Sequence, residues 1–430
     1  MIKTIVILDA KSDAAKLRNS ISAISDDLIK KTKLIMDEVT KYGDSALIDY
    51  TEKFDGVRLD SLKVTSEEIT EAYSNVTKEQ IHSIKIMKDR LIRGENILLK
   101  RLHGIVISSH GVRVQRIVQP VSSVGCYIPG GKARYPSSMV MCAIPAKVAG
   151  VKRIVAISPP LRNGKIDALT LVSADICGVD EFYKIGGAHG IMALAFGTPS
   201  ISKVSKVVGP GGIFVTIAKV LASSRVSIDM NAGPTELLVY ADSKADPKLI
   251  AFDLISQAEH SYDTLCGLVT TSKELAAEVT NKIQYLLGKS IIKRANIVKR
   301  SLEENGFIAI CRNDHSAIEF VNEVAPEHLE IIAQNARTIS KKITSAGLIL
   351  IGKYTPSSAS DYCLGSNHVL PTSGFSKSRA SLSVLDFVKI VNIVQATKLG
   401  LEKVEPVVKQ IAAAEGLMNH YEAVRERFKK

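Results

Sequence analysis

Lys203-Val204-Ser205-Lys206-Val207-Val208-Gly209-Pro210-Gly211-Gly212 is a short β-branched run closed by a glycine-rich turn, and an apolar stretch with helical spacing follows it. A strand that ends in glycines before a helix is the repeating unit of a parallel α/β sheet. The same alternation of β-branched runs with turns and small-residue helices is present at 151–157, 236–240 and 347–351. Two parallel regions are expected, near 125–235 and 236–352. Upstream, the first hundred residues read mainly as helices: 27–42 carries Leu28, Ile35 and Val39 on one face, and 85–101 carries Met87, Leu91 and Leu98. Downstream, 372–379 reads as a polar linker and 406–428 as mostly helical. There is no internal repeat.

Composition narrows the function. A chain of 430 residues has room for two or three domains with full cores. The 56 Lys and Arg against 44 Asp and Glu give a net charge of +12, but the cations are scattered, aromatics are 5% and Trp is absent. That combination offers few stacking platforms for nucleic acid, and an ordinary solvated face explains the charge. No apolar run reaches membrane length, and Asp9 and Lys11 interrupt the start, so a cytoplasmic protein is expected. The six cysteines are far apart without a C-x-x-C pair, which points to reduced thiols.

Two glycine segments invite a phosphate. Gly209-Pro210-Gly211-Gly212 has the strand-to-helix context in which N–H groups receive an anion, but not the full G-x-G-x-x-G spacing. A tight turn satisfies the same residues. Pro129-Gly130-Gly131-Lys132 looks like part of a phosphate loop, yet Cys126 stands where that motif needs Gly and Ala133 where it needs Ser or Thr.

The nine histidines carry more information. Gln257 and His260 lie three apart on a helix expected to start at Pro247, so both can face one ion. Glu327 precedes His328, Asp361 is near His368, and Glu415 is near His420. Each histidine alone reads first as a satisfied hydrogen-bonding residue rather than a ligand. Together, two imidazoles, a carboxylate and an amide oxygen suit a zinc ion with positions open to substrate. Glu327-His328, between Pro326 and Leu329, is expected to start a helix and can serve as an acid–base pair, since imidazole titrates near neutrality.

These segments, in this order, resemble the histidinol dehydrogenase family. The similarity begins at Tyr42-Gly43-Asp44 and Lys53-Phe54-Asp55-Gly56 and continues through Tyr127-Ile128-Pro129-Gly130-Gly131, Ala143-Ile144-Pro145-Ala146-Lys147 and Ile185-Gly186-Gly187-Ala188. It is closer in Ala232-Gly233-Pro234-Thr235-Glu236, Gln257-Ala258-Glu259-His260, Ala325-Pro326-Glu327-His328, Asn367-His368-Val369-Leu370-Pro371 and Ala414-Glu415-Gly416-Leu417.

The resemblance implies zinc held by Gln257, His260, Asp361 and His420. It implies a general base at His328, a water-activating carboxylate at Glu327, and substrate contacts at Thr235, His368 and Glu415 beside those six residues. It implies NAD near Tyr127, His189 and Gly212, and two successive oxidations of L-histidinol, through L-histidinal, to L-histidine. The expected assembly is a homodimer whose C-terminal segments complete each other's sites, with a small-molecule substrate and neither nucleic acid nor membrane as partner.

The implied fold is α/β, with two incomplete Rossmann-like domains, a helical N-terminal segment and a C-terminal helical tail. Residues 1–20 would be an extension, 21–125 plus 236–372 a larger domain, 126–235 a nested domain, and 373–430 the tail. This chain departs from the family pattern at His189 (Gln in the family), Gly212 (Asn), Asn231 (Pro), Ser360 (Gly) and Thr235 (often Ser). Two rival functions are a related dehydrogenase of another polar alcohol, such as a sulfonated propanediol, and a non-catalytic metal-binding paralogue.

Overall fold

The strands and helices expected from the β-branched runs assemble into two separate parallel sheets. The computed structural model describes residues 2–21, 25–102, 104–130, 134–230, 233–289 and 292–429. His103, Asn231, Ala232 and the Gly131-Lys132-Ala133 end of the second glycine segment lie outside these. In chain order the described strands are β1 (Lys3–Ile7), β2 (Ile105–Ser109), β3 (Val112–Pro120), β4 (Ser123–Tyr127), β5 (Arg153–Ile157), β6 (Glu181–Tyr183), β7 (Lys206–Val208), β8 (Ser227–Ile228), β9 (Glu236–Ala241), β10 (Leu265–Thr270), β11 (Phe307–Cys311), β12 (His328–Ile332), β13 (Leu348–Ile351) and β14 (Val388–Ala396).

The first sheet has the order β6-β5-β4-β7-β8 and is parallel throughout. Its chain reverses direction between β4 and β7, the switch point at which doubly wound sheets open a crevice beyond the strands' carboxyl ends. Tyr127 ends β4 and Gly209 follows β7, so both stand at that crevice. The second sheet, β1-β11-β10-β9-β12-β13, repeats the plan with its switch between β9 and β12. Its central strands are almost wholly apolar because helices cover both faces.

Three features were not legible locally. β1 pairs in parallel with β11 and forms an edge of the six-stranded sheet, so the N-terminal segment is not purely helical. β14 pairs antiparallel with β3, from Val388 opposite Pro120 to Ala396 opposite Val112, and β2 completes a third sheet inside what reads as connecting and tail sequence. The helices of 26–101, grouped in the sequence with the larger sheet, instead bury their apolar faces on the five-stranded one. Ile35, Val39 and Leu47 share a core with Val155, Ile191 and Val207, and Met87 and Leu91 share another with Val124 and Ile144. The helix stripe fixes which face is buried, not which sheet receives it.

The 372–379 stretch is no free linker. Thr372 and Ser376 are buried, and Phe375–Lys377 forms a turn of 3-10 helix. Five of the six cysteines are buried, Cys363 is half-buried, and none is in a disulfide. No helix among the described residues is long and apolar enough to cross a membrane.

Candidate active site

Glu327 and His328 are brought together with Thr235, Gln257 and Asp361 at the amino ends of β9 and β12. Glu327 stands immediately before β12 and His328 opens it. The expectation of a helix start is thus corrected, since Leu329 to Ile332 form a buried apolar run that serves as a central parallel strand. Thr235 stands just before β9, and its hydroxyl donates to Glu327 Oε2 at 2.7 Å. The backbone N–H of Glu236 donates to the same oxygen at 2.7 Å. The Glu327 carboxylate is therefore fixed and aimed.

His328 is 2% exposed. Its Nδ1 lies 3.2 Å from the carbonyl oxygen of Glu236, which can only accept, so the neutral ring carries its proton on Nδ1. Nε2 is then the basic nitrogen. It has no hydrogen-bond partner and points toward Asp361 Oδ1, 3.4 Å away. Burial disfavours the imidazolium, but the Glu327 and Asp361 carboxylates outweigh it and hold the His328 pKa well above its usual value. Burial likewise opposes ionisation of Asp361, yet His328 beside it holds that carboxyl below the ordinary range.

The helix Pro247–Ala258 ends at this point, carrying Gln257, which is 2% exposed. Gln257 Nε2 donates to the Thr235 hydroxyl at 3.2 Å, and its Oε1 accepts from the Ser357 hydroxyl at 3.3 Å. One lone pair of that oxygen remains free. His260 follows the helix, its N–H bonded to the Gln257 carbonyl at 3.2 Å and its ring near enough to help lower the Asp361 pKa. His368 has both nitrogens engaged, Nδ1 with the Asp361 carbonyl at 2.6 Å and Nε2 with the Ser138 hydroxyl at 3.3 Å. That geometry makes it a support for the Asp361 turn, and it brings the helix over the five-stranded sheet up to the site.

Glu415 and His420 are not brought in. Both are exposed. The helices at this end, Lys398–Ala414 and Met418–Arg425, pack on each other, and the first also packs on β14. No group of three His, Cys, Asp or Glu side chains among the described residues could hold a metal ion.

The glycine segments flank the crevice of the other sheet. Gly212 and Gly186 precede the ten-residue helices Ile213–Ala222 and Gly187–Phe196, and neither helix start has a side-chain cap. A Cβ on Gly209 would fall 2.1 Å from the Tyr127 carbonyl oxygen, and Gly209 has φ +120°, while Gly212 has open space around it. Gly209→Ala is expected to cost at least ~3 kcal/mol, from the backbone conformation and the clash together, as read by urea denaturation. The loop is held from beneath by Lys219 and Asp229, 1% and 0% exposed, which are paired with each other. Asp229 accepts the Gly209 N–H at 2.8 Å and Lys219 donates to its carbonyl at 3.0 Å.

His189 does not face the crevice openly. It is 1% exposed, stacked on Tyr50 with centroids 5.8 Å apart, and burial pushes its pKa down to about 3, so it is neutral. The Tyr127 hydroxyl is engaged by the Gly187 N–H.

Sequence reasoning missed a second layer. Buried Glu330 pairs with the half-buried carboxyl of Asp253, and Glu330 accepts the Ser357 N–H at 2.6 Å, supporting the turn that carries Asp361. Burial first, and then the Asp253 charge, raise the Glu330 carboxyl to about 8, and burial raises Asp253 to about 6. A carboxyl protonated in the fold but ionised in the unfolded chain stabilises fully below pH 4.5 and loses that contribution as pH rises to about 8. Glu330→Gln is expected to remove a decline on the order of 3 kcal/mol across this window, read from urea midpoints at several pH values. The available signal was a charge inside the apolar run Leu329-Glu330-Ile331, and likewise Glu236 at the head of a buried strand.

Comparison with known proteins identifies the family. The family model described as histidinol dehydrogenase matches residues 19–428. The chain is 45% identical over 405 residues to the histidinol dehydrogenase of Clostridium acetobutylicum, covering 94% of this chain and 93% of that one. It is 40% identical over 420 residues to that of Methanocaldococcus jannaschii, covering 97% of each. Among solved structures, histidinol dehydrogenase from Elizabethkingia anophelis superposes with a TM-score of 0.93 at 34% identity, over 99% of this chain and 98% of that one. With sequence and fold matched end to end, this chain belongs to the histidinol dehydrogenase family.

Proposed function

We propose that this chain is a zinc-dependent, NAD-linked dehydrogenase that oxidises L-histidinol to L-histidine through L-histidinal. The observation that carries it is the gathering of Thr235, Gln257, Glu327 and Asp361 around His328, whose buried Nε2 has no hydrogen-bond partner and lies 3.4 Å from Asp361 Oδ1. The donor set suits zinc: an amide oxygen with a free lone pair, an imidazole at His260 and a buried, ionised carboxylate at Asp361 are the nitrogen and oxygen ligands that ion accepts. Gln257, His260 and Asp361 would hold it, with His420 of the partner subunit as the fourth ligand.

The crevice suits NAD, with two uncapped helix N-termini and glycines that bring backbone close. Tyr127, Gly212 and the loop above His189 would line it. When bound, zinc would hold and orient the substrate through its nitrogens, and NAD would supply the hydride acceptor.

The chain's own residues do the rest. In its neutral form His328 takes the alcohol proton on Nε2, and its Nδ1 bond to the Glu236 carbonyl keeps that tautomer facing substrate. Glu327, fixed by Thr235 and the Glu236 N–H, draws a proton from the water that hydrates the aldehyde, and a second hydride transfer then yields the acid. Glu415 of the partner subunit would contact substrate.

A homodimer accounts for the tail. The third sheet leaves Ile105, Val106, Ile107, Ile390 and Val394 exposed, and the helix beside it leaves Val407 and Ile411 exposed. An apolar area of this kind marks an interface, and a two-fold pairing would carry Glu415 and His420 to the other subunit's site. NADH formation from L-histidinol by the zinc-loaded protein tests the function. Absence of NADH or NADPH with either cofactor would redirect the assignment to another polar alcohol.

A further inference from the structure

A single arginine on the N-terminal helix touches the backbone of the catalytic segment. Arg18, on the helix Ala10–Ile21, donates from Nη2 to Glu236 Oε2 at 2.9 Å and forms a second bond from Nη1 to Oε1. The same guanidinium donates from Nε to the Val324 carbonyl at 2.7 Å and from Nη2 to the Ala325 carbonyl at 3.0 Å. Its side chain is 13% exposed and that of Glu236 2%. Ala325 has φ +50°, a left-handed conformation rare for alanine and rarer still before a proline, here Pro326.

Glu236 in turn meets each reacting residue. Its Oε2 accepts the Glu327 N–H at 3.2 Å, while its own N–H donates to the Glu327 carboxylate at 2.7 Å, so the two glutamates hold each other reciprocally. Its carbonyl oxygen receives His328 Nδ1 at 3.2 Å, and its Oε1 accepts the Ser373 N–H at 2.8 Å. The planar five-donor fork of arginine is the one cationic side chain that can grip a carboxylate in parallel and still reach two carbonyls. A charge this deeply buried persists only when fully paired.

We infer that Arg18 is a positioning residue: its clamp on Glu236 and on the strained turn at Ala325 holds Glu327 and His328 in reacting geometry, tying the N-terminal helix to catalysis. The family match begins at residue 19, one position beyond it. The inference rests on Glu327 and His328 being the reacting pair.

The test is Arg18→Gly in the full-length, zinc-loaded protein, beside wild type. Misplacement by about an ångström is expected to lower kcat about 100-fold while KM for histidinol stays within about threefold. Because Glu327 serves the hydration step, free histidinal is expected to escape to a semicarbazide trap, with NADH per histidinol falling from two toward one. Millimolar guanidinium is expected to recover at least about tenfold in kcat, since it refills the same hole. A variant with wild-type kcat and stoichiometry, or one that loses activity without rescue, overturns the clamp. Should Arg18→Gly fail to fold, Glu236→Gln keeps the side-chain shape while removing the charge; it is expected to leak aldehyde, and normal stoichiometry in it likewise overturns the clamp. If wild type itself makes no NADH from histidinol, the assignment of the reacting pair falls and the clamp with it; if only the variants behave as wild type, the clamp alone falls.

Discussion

His328→Asn lowers kcat for histidinol oxidation by about 100- to 10,000-fold, the range that one positioned general base contributes. Asparagine is the informative replacement because its amide nitrogen reaches the place of Nδ1. The bond to the Glu236 carbonyl, 3.2 Å in the native chain, can therefore persist while the basic Nε2 is lost. Zinc content and the urea midpoint are expected to stay close to wild type, since none of the proposed zinc ligands Gln257, His260 and Asp361 is altered. A variant that keeps a tenth or more of wild-type kcat would move the base elsewhere.

Lys219→Met is expected to cost about 3–5 kcal/mol, because it leaves Asp229, fully buried, with an uncompensated charge. The loss is global and also local. Gly209 has its N–H on Asp229 and its carbonyl on Lys219, so the glycine loop at the crevice loses both its carbonyl partner and its neutralised anchor. Pairing Lys219→Met with Asp229→Leu separates the two effects: removing both charges is expected to recover much of the stability, as apolar replacements of buried pairs do, without restoring NAD affinity. Urea denaturation and dinucleotide titration of the same samples read each effect. Recovery of both together would show that the pair supports only the core.

The strand runs at 206–208, 236–241 and 348–351 were legible because each is a short apolar stretch bounded by glycine or polar residues, and parallel strands covered on both faces look like this. The third sheet was not. β14 finds β3 across more than 260 positions, and no local period records such a pairing. The same limit hid the packing of 26–101, where the stripe of Ile35 and Val39 declares a buried face but not its partner.

In the site, residue types and order pointed to Gln257, Glu327, His328 and Asp361, and the fold brings these four together. Glu415 and His420 stay apart within one chain, which the shared dimer site would explain. Arg18 and Lys219 were silent because each is one basic residue among 56, and burial alone distinguishes them. His189 was legible as a departure from the family pattern, but only its stacking on Tyr50 shows that it fills the core behind the glycine loop.

The count of NADH formed per L-histidinol consumed by the zinc-loaded wild-type protein settles whether one site performs both oxidations. Two is the expected value, because the aldehyde stays beside Glu327, whose carboxylate is already fixed by Thr235 and the Glu236 N–H. A value of one, with histidinal accumulating in solution, would contradict the role of Glu327 and leave a simple alcohol dehydrogenase.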